Sequence, residues 1–215
     1  MLSAKQANRR YFQQAYRIGQ HGWATEKPSS YAAGFLRRLK RSIPGAKLLD
    51  VGCGEGRHAI AAAKLGFRVT AVDYEPLALR RARRFARQAG ARGIVFRRAD
   101  ALSLPFSDAG FDVVLDYGCL HHQKKSDWPR YRAGLLRVLK PWGFFVLSVF
   151  SREFPLFHGS RRPWHIAQGA YRRYFTRGDI LELFGRDFEV VELLKEKGDR
   201  PGFWHALMRR RAEPV

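Results

Sequence analysis

Leu48-Leu-Asp-Val-Gly-Cys-Gly-Glu-Gly56 decides the fold. An apolar strand over 47–51 runs into glycines at 52, 54 and 56, and a helix follows near 56–65. Glycines there let the chain turn tightly and let a ligand approach the backbone. A dinucleotide fingerprint needs a further glycine where Arg57 stands, and a P-loop needs a Gly-Lys-Ser/Thr ending that is absent. Charge points the same way. Asp50 and Glu55 flank the turn and Asp73 ends the next strand, which suits hydroxyls, an ammonium or a cation better than a pyrophosphate. Asp73 follows Gly52 by about 20 residues, where an acid can take both hydroxyls of a ribose.

Outward from this turn, strands and helices alternate. Strands are predicted over 68–73, 94–97, 111–115 and 144–150, with helices over 76–89 and 127–139. Upstream, 3–20 reads as a basic-aromatic helix, 21–30 as a loop, and Pro28 as the opening of a helix to Arg41. Downstream, 151–175 reads as irregular. Thr176-Arg-Gly-Asp179 is a capping-box variant ahead of a helix over 177–185. Strands over 188–194 and 203–209 close the chain. The expectation is an α/β fold: a mostly parallel sheet closed by a terminal hairpin, with helices on both faces. One domain over 1–215 is expected, with a helical cap (1–44), a core (45–150), an insertion (151–175) and a closing helix and hairpin (176–215).

Composition bounds the function. With 46% hydrophobic and 27% charged residues the chain is globular in type rather than disordered. Its longest apolar run, 143–150, falls far short of the roughly 20 residues a membrane helix needs, and residues 1–10 lack a signal-peptide core. The two cysteines form no metal or disulfide pattern, so a cytoplasmic setting and no metal are expected. The 40 basic residues against 19 acidic ones give a net charge of +21. That charge fits a polyanionic partner, and equally a GC-rich genome or a hot habitat.

At the glycine turn and its neighbours the chain resembles class I S-adenosylmethionine-dependent methyltransferases. Leu48–Gly56 is similar to the first motif of that family, and Val69-Thr-Ala-Val-Asp-Tyr74 to the second. Arg98-Ala-Asp-Ala-Leu102, Phe111-Asp-Val-Val-Leu-Asp116 and Arg137-Val-Leu-Lys-Pro-Trp-Gly143 follow in order, with Trp142 where glycine is commoner. The resemblance covers roughly 45–150 and implies a Rossmann-like, seven-stranded, mostly parallel sheet with an antiparallel last strand, inserted beside the fifth. It implies that Gly52, Cys53, Gly54 and Gly56 wrap the methionine part of the cofactor above Asp50. Asp73 would hold the ribose and Tyr74 would lie on the adenine. Asp100, with Ala101 and Leu102, would meet the adenine edge, and Asp116 and Tyr117 would face the sulfonium. S-adenosylhomocysteine would be the product.

For chemistry, Asp116-Tyr-Gly-Cys-Leu-His-His-Gln123 follows the fourth strand, where ligands of open α/β sheets bind. His121 and His122, with Tyr117, are the catalytic candidates; the pair is either a base or a loop scaffold. Substrate candidates lie outside the core: Tyr11, Tyr16, Trp23 and Tyr31 in the cap, and Arg161 and Trp164 in the insertion. Gly22-Trp23 ahead of Pro28-Ser29 resembles the entry loop of tellurite-resistance and thiol methyltransferases. A small-molecule acceptor is therefore expected, sulfur or another soft atom first, then oxygen or nitrogen, acted on by a monomer or homodimer. Nucleic acid is the weaker alternative. Arg80, Arg81, Arg83, Arg84 and Arg87 sit on a core helix, and no Asp/Asn/Ser-Pro-Pro-aromatic motif follows the fourth strand.

Overall fold

A computed structural model describes residues 4–19, 21–23, 27–155, 157, 162–196 and 202–213. In chain order the elements are α1 (Ala4–Ile18), α2 (Ser30–Ser42), β1 (Lys47–Val51), α3 (Arg57–Lys64), β2 (Arg68–Asp73), α4 (Pro76–Gln88), β3 (Ile94–Arg98) and β4 (Phe111–Tyr117). After them come α5 (Trp128–Val138), β5 (Leu139–Phe150), β6 (Trp164–Ala167), β7 (Ala170–Arg173), α6 (Arg177–Phe184), β8 (Phe188–Lys195) and β9 (Phe203–Arg210).

Seven strands form one sheet in the order β3-β2-β1-β4-β5-β9-β8. β1 to β5 pair in parallel, and β9 lies antiparallel between β5 and β8. Alternating side chains build a core on each face. Leu49, Val114, Phe145, Leu147 and Val149 pack with Trp128 and Leu135 of α5 and Phe184 of α6. On the other face Leu48, Val113, Leu115 and Val146 pack with Phe35 and Leu36 of α2, Ala59 of α3 and Leu79 of α4. Burial on both faces explains why the central strands read as nearly continuous apolar runs.

Two local readings change. The second helix opens at Ser30 behind an extended Ser29, not at Pro28. The stretch expected to be irregular contains a hairpin, β6 with β7, in which Ala167 pairs with Ala170. Gln168 and Gly169 both take positive φ, +52° and +82°, as a two-residue turn matched to strand twist requires. Trp142 adopts φ +63°, the conformation a glycine there would adopt freely. The capping box is present: Thr176 Oγ1 accepts from the Asp179 amide at 3.1 Å, and Asp179 Oδ2 accepts from the Thr176 amide at 2.7 Å.

Candidate active site

The carboxyl ends of β1, β2, β4 and β5 meet under α1, where two adjoining cavities of about 410 and 420 Å³ share Phe12, Tyr16, Gly52, Gly118 and His122 as walls. The first is lined by Asp73, Tyr74, Asp100, Ala101, Leu102 and Cys119. Asp73 accepts from the Gly54 and Glu75 amides, each at 2.9 Å, so it pins the glycine turn while each oxygen keeps a second lone pair. Burial pushes its pKa up to about 6, against the pull of those amides. Tyr74 donates to the Asn8 carbonyl at 3.4 Å. Asp100 accepts from the Leu102 amide at 3.0 Å and pairs with Lys5 at 2.7 Å. Partial burial opposes ionisation of Asp100, but Lys5 and the Leu102 amide outweigh it and hold its pKa below the usual value.

The second cavity is lined by Asp50, Gly52, Cys53, Gly54, Tyr117, His121 and Phe150, among others. Asp50 is buried, and its Oδ2 has no hydrogen-bond partner. Burial, then the neighbouring Asp116 and Asp73, raise its pKa to about 7. A buried acid so placed is completed by a cation. The glycines are required by contact as well as by conformation. A Cβ on Gly52 (φ +70°) would lie 2.7 Å from the Cys119 Cβ, and one on Gly54 (φ +54°) 2.8 Å from the Tyr16 hydroxyl. Gly56 is the left-handed residue before α3. Trp23 donates to the Tyr16 hydroxyl at 3.2 Å, and Tyr11 lies 6.0 Å from the Trp23 ring.

The two histidines differ in kind. His121 Nδ1 accepts from the Phe150 amide at 3.1 Å, so in the neutral ring its proton sits on Nε2. Its ring stacks on Phe150 at 3.5 Å. His122 Nδ1 lies 2.7 Å from the Tyr171 carbonyl, which can only accept, so the Nε2 of His122 carries the lone pair. That Nε2 makes no hydrogen bond among the described residues, and His122 lines both cavities. Burial is the main cause that lowers its pKa, to about 4, and Arg172 adds to it. Tyr117 is wedged against His58 at 4.4 Å and Phe203 at 5.3 Å, under the Arg57 guanidinium.

Some sequence candidates fall elsewhere. Asp116, expected to face the sulfonium, lines neither cavity; it accepts from the Cys119 and Leu120 amides and from the Tyr131 hydroxyl, at 2.7, 3.0 and 2.6 Å. Tyr31 stacks on His205 at 4.2 Å and Trp164 on Tyr171 at 5.6 Å, and neither lines these cavities. Arg161 lies outside the described residues. Site residues not named from sequence are Lys5 and Asn8 of α1; Phe12, an aromatic of the cap, lines both cavities, and Arg172 is a buried guanidinium that donates to the Tyr11 hydroxyl at 3.1 Å. The 5, 8, 12, 16 spacing, one face of a helix, was the available signal.

Comparisons with known proteins bear on the domain and the fold. Residues 48–143 match the methyltransferase domain family. The 27-O-demethylrifamycin SV methyltransferase of Amycolatopsis mediterranei is 35% identical over 138 residues, 60% of this chain and 50% of that protein. The ubiquinone biosynthesis O-methyltransferase of Cereibacter sphaeroides is 36% identical over 124 residues, 57% and 49%. The chain thus spans about half the length of these curated relatives. The crystal structure of Burkholderia thailandensis 1,6-didemethyltoxoflavin-N1-methyltransferase, with bound 1,6-didemethyltoxoflavin and S-adenosylhomocysteine, superposes with a TM-score of 0.76. It is 25% identical, covering 98% of this chain and 92% of that one. Residues 48–143 thus carry a methyltransferase domain, and the sheet order and glycine turn around it are similar to those of class I S-adenosylmethionine-dependent methyltransferases.

Proposed function

We propose that the protein methylates a small planar acceptor through a hydroxyl oxygen or ring nitrogen, with His122 as the general base. The observation that carries this reading is His122, whose Nδ1 is bound by the Tyr171 carbonyl, whose Nε2 has no hydrogen-bond partner among the described residues, and which lines both cavities. Thiols, with pKa near 8.5, need little help in losing a proton, whereas phenols near 10 need more. A positioned base is therefore more useful for oxygen or nitrogen than for sulfur. The relatives, a ubiquinone biosynthesis O-methyltransferase and a 1,6-didemethyltoxoflavin-N1-methyltransferase among them, support the same order.

The residues fit the cofactor. Asp73 retains acceptor capacity for a ribose diol, Tyr74 offers a face to adenine, and Asp100 with Ala101 and Leu102 offers the polar edge beside it. The orphaned Asp50 oxygen matches an ammonium, and the bare glycines 52 and 54 leave room for an aminoacyl chain. When bound, the cofactor supplies a methyl carbon already activated by a sulfonium. The protein's share is alignment, worth up to about 7–11 kcal/mol, exclusion of water, and removal of the acceptor proton to His122. Phe150, Phe154 and Phe203 form the apolar wall of the cavity. His121, with its Nδ1 occupied, is a positioning residue that fixes the end of β5.

The test is methyl transfer to a panel of phenols, nitrogen heterocycles, thiols and bulk RNA. His122→Ala is expected to lower kcat on a hydroxyl or N–H acceptor by about 10²–10⁴ and to remove the acid limb near pH 4. Transfer confined to thiols or RNA, or an unchanged pH profile in the variant, overturns the assignment.

A further inference from the structure

Beyond the methyl-transfer site, a groove of about 420 Å³ runs between the outer face of α1 and the start of α4. Five guanidinium groups enter it: Arg9, Arg10 and Arg17 from α1, Arg80 from α4 and Arg98 from the end of β3. All five residues are exposed. Among the described residues none of them has a carboxylate at ion-pair distance. The one acid in the groove, Glu75, is buried and accepts from the Leu77 amide at 3.2 Å. Two of the cations are already held in place: Arg98 donates to the Tyr74 carbonyl at 3.1 Å, and Arg9 lies 5.9 Å over the Tyr74 ring.

Like charges that converge without acids repel one another, and the arrangement is relieved by an anion of matching length. From Arg10 to Arg17 the α1 stripe covers roughly 10 Å at 1.5 Å per residue. One phosphate cannot span that, whereas a nucleic-acid strand, with a phosphate at every nucleotide, reaches it with more than one. We propose that this groove binds the phosphate backbone of single-stranded nucleic acid, independently of sequence and apart from the acceptor site. Tyr74 and Arg9 line both this groove and the first cavity, whereas His122 and Arg172 lie outside the groove. A strand in the groove is thus docked, not presented for methylation.

The experiment is anisotropy of labelled oligouridylate against salt, for wild type and for the triple variant Arg10→Ala/Arg17→Ala/Arg80→Ala. A second triple variant, Arg37→Ala/Arg41→Ala/Arg186→Ala, removes equal charge elsewhere on the surface. For three lost phosphate contacts the log–log salt slope flattens by about 2 in the groove variant and hardly changes in the other, with thermal midpoints held near wild type. Equal flattening in both triples would mean diffuse attraction and overturn the proposal. So would absent oligouridylate binding alongside groove-dependent binding of inorganic pyrophosphate, which would mark a small-anion site.

Discussion

Asp50 is an acid that the fold leaves incomplete. Its pKa of about 7 lies above the ordinary 3.8 because the site is buried and shared with Asp73 and Asp116. An ammonium beside it would favour the charged form, so binding the cofactor expels a proton wherever Asp50 is still protonated. Affinity is then expected to climb with pH, by up to about tenfold per unit, and to level off above pH 7. Calorimetry in buffers of different ionisation enthalpy reads the proton directly, and Asp50→Asn should abolish both the release and the slope. The sign for stability is the reverse. A carboxyl whose folded pKa is raised stabilises the fold in its neutral form, and that contribution is lost as pH rises from about 4 toward 7. Asp73 and Asp116, each raised to about 6, add in the same direction. The free protein should therefore lose thermal stability across that window, and a flat midpoint between those limits would refute the shared burial. Asp50 and Asp73 were legible because strand, turn and acid are in register. The direction of Asp116 was not, since the hydroxyl that claims it comes from Tyr131 on α5.

Helix α1 works as a two-sided element. Lys5, Asn8, Phe12 and Tyr16 face the cavities, while Arg10, Gln13 and Arg17 face the basic groove. Asn8 ties the inner side down: its amide donates to the His122 carbonyl at 2.8 Å and accepts from the Tyr171 amide at 2.7 Å. Replacing it with alanine strands the buried Tyr171 amide, at about 1–3 kcal/mol, and removes the part-buried bond to the His122 carbonyl. Faster hydrogen exchange in α1 and weaker cofactor binding are expected together in Asn8→Ala; exchange at the wild-type rate would show that the helix is held by its aromatics instead. At α6, Thr176→Ala removes one half of the capping box and should cost about 1 kcal/mol, read as a lowered thermal midpoint. This cap was visible in four residues of sequence. The β6–β7 hairpin was not recognised, because Gln168-Gly169 is a weaker turn signal than Asn-Gly. The site contacts of α1 were also missed: its aromatics were read, but which neighbours they meet depends on β7, more than 150 residues away.

For the whole molecule, the charge of +21 divides unevenly. Acids gather at the strand ends, and arginines line the far side of α1, so one helix separates two regions of opposite electrostatic character. The sheet was legible as a class because every parallel strand carries its own apolar pattern. Placing β9 between β5 and β8 rested on family resemblance, since nothing in the two strands' composition states it. Without β9, the backbone of β5 from Phe144 to Phe150 loses its antiparallel partner and β8 has no neighbour. A chain ending at Lys195 is accordingly expected to show no cooperative unfolding transition; a sharp one would mean that the first five strands suffice. The strand order also has a consequence in time. β8 leaves the ribosome before the strand it must lean on, so the sheet is assembled out of synthesis order. Until residue 210 emerges, β5 is an open edge with Val146 and Leu147 in it. The growing protein therefore passes through an interval in which a long apolar strand has an open edge, and the length of that interval is bounded below by the time translation takes to reach residue 210.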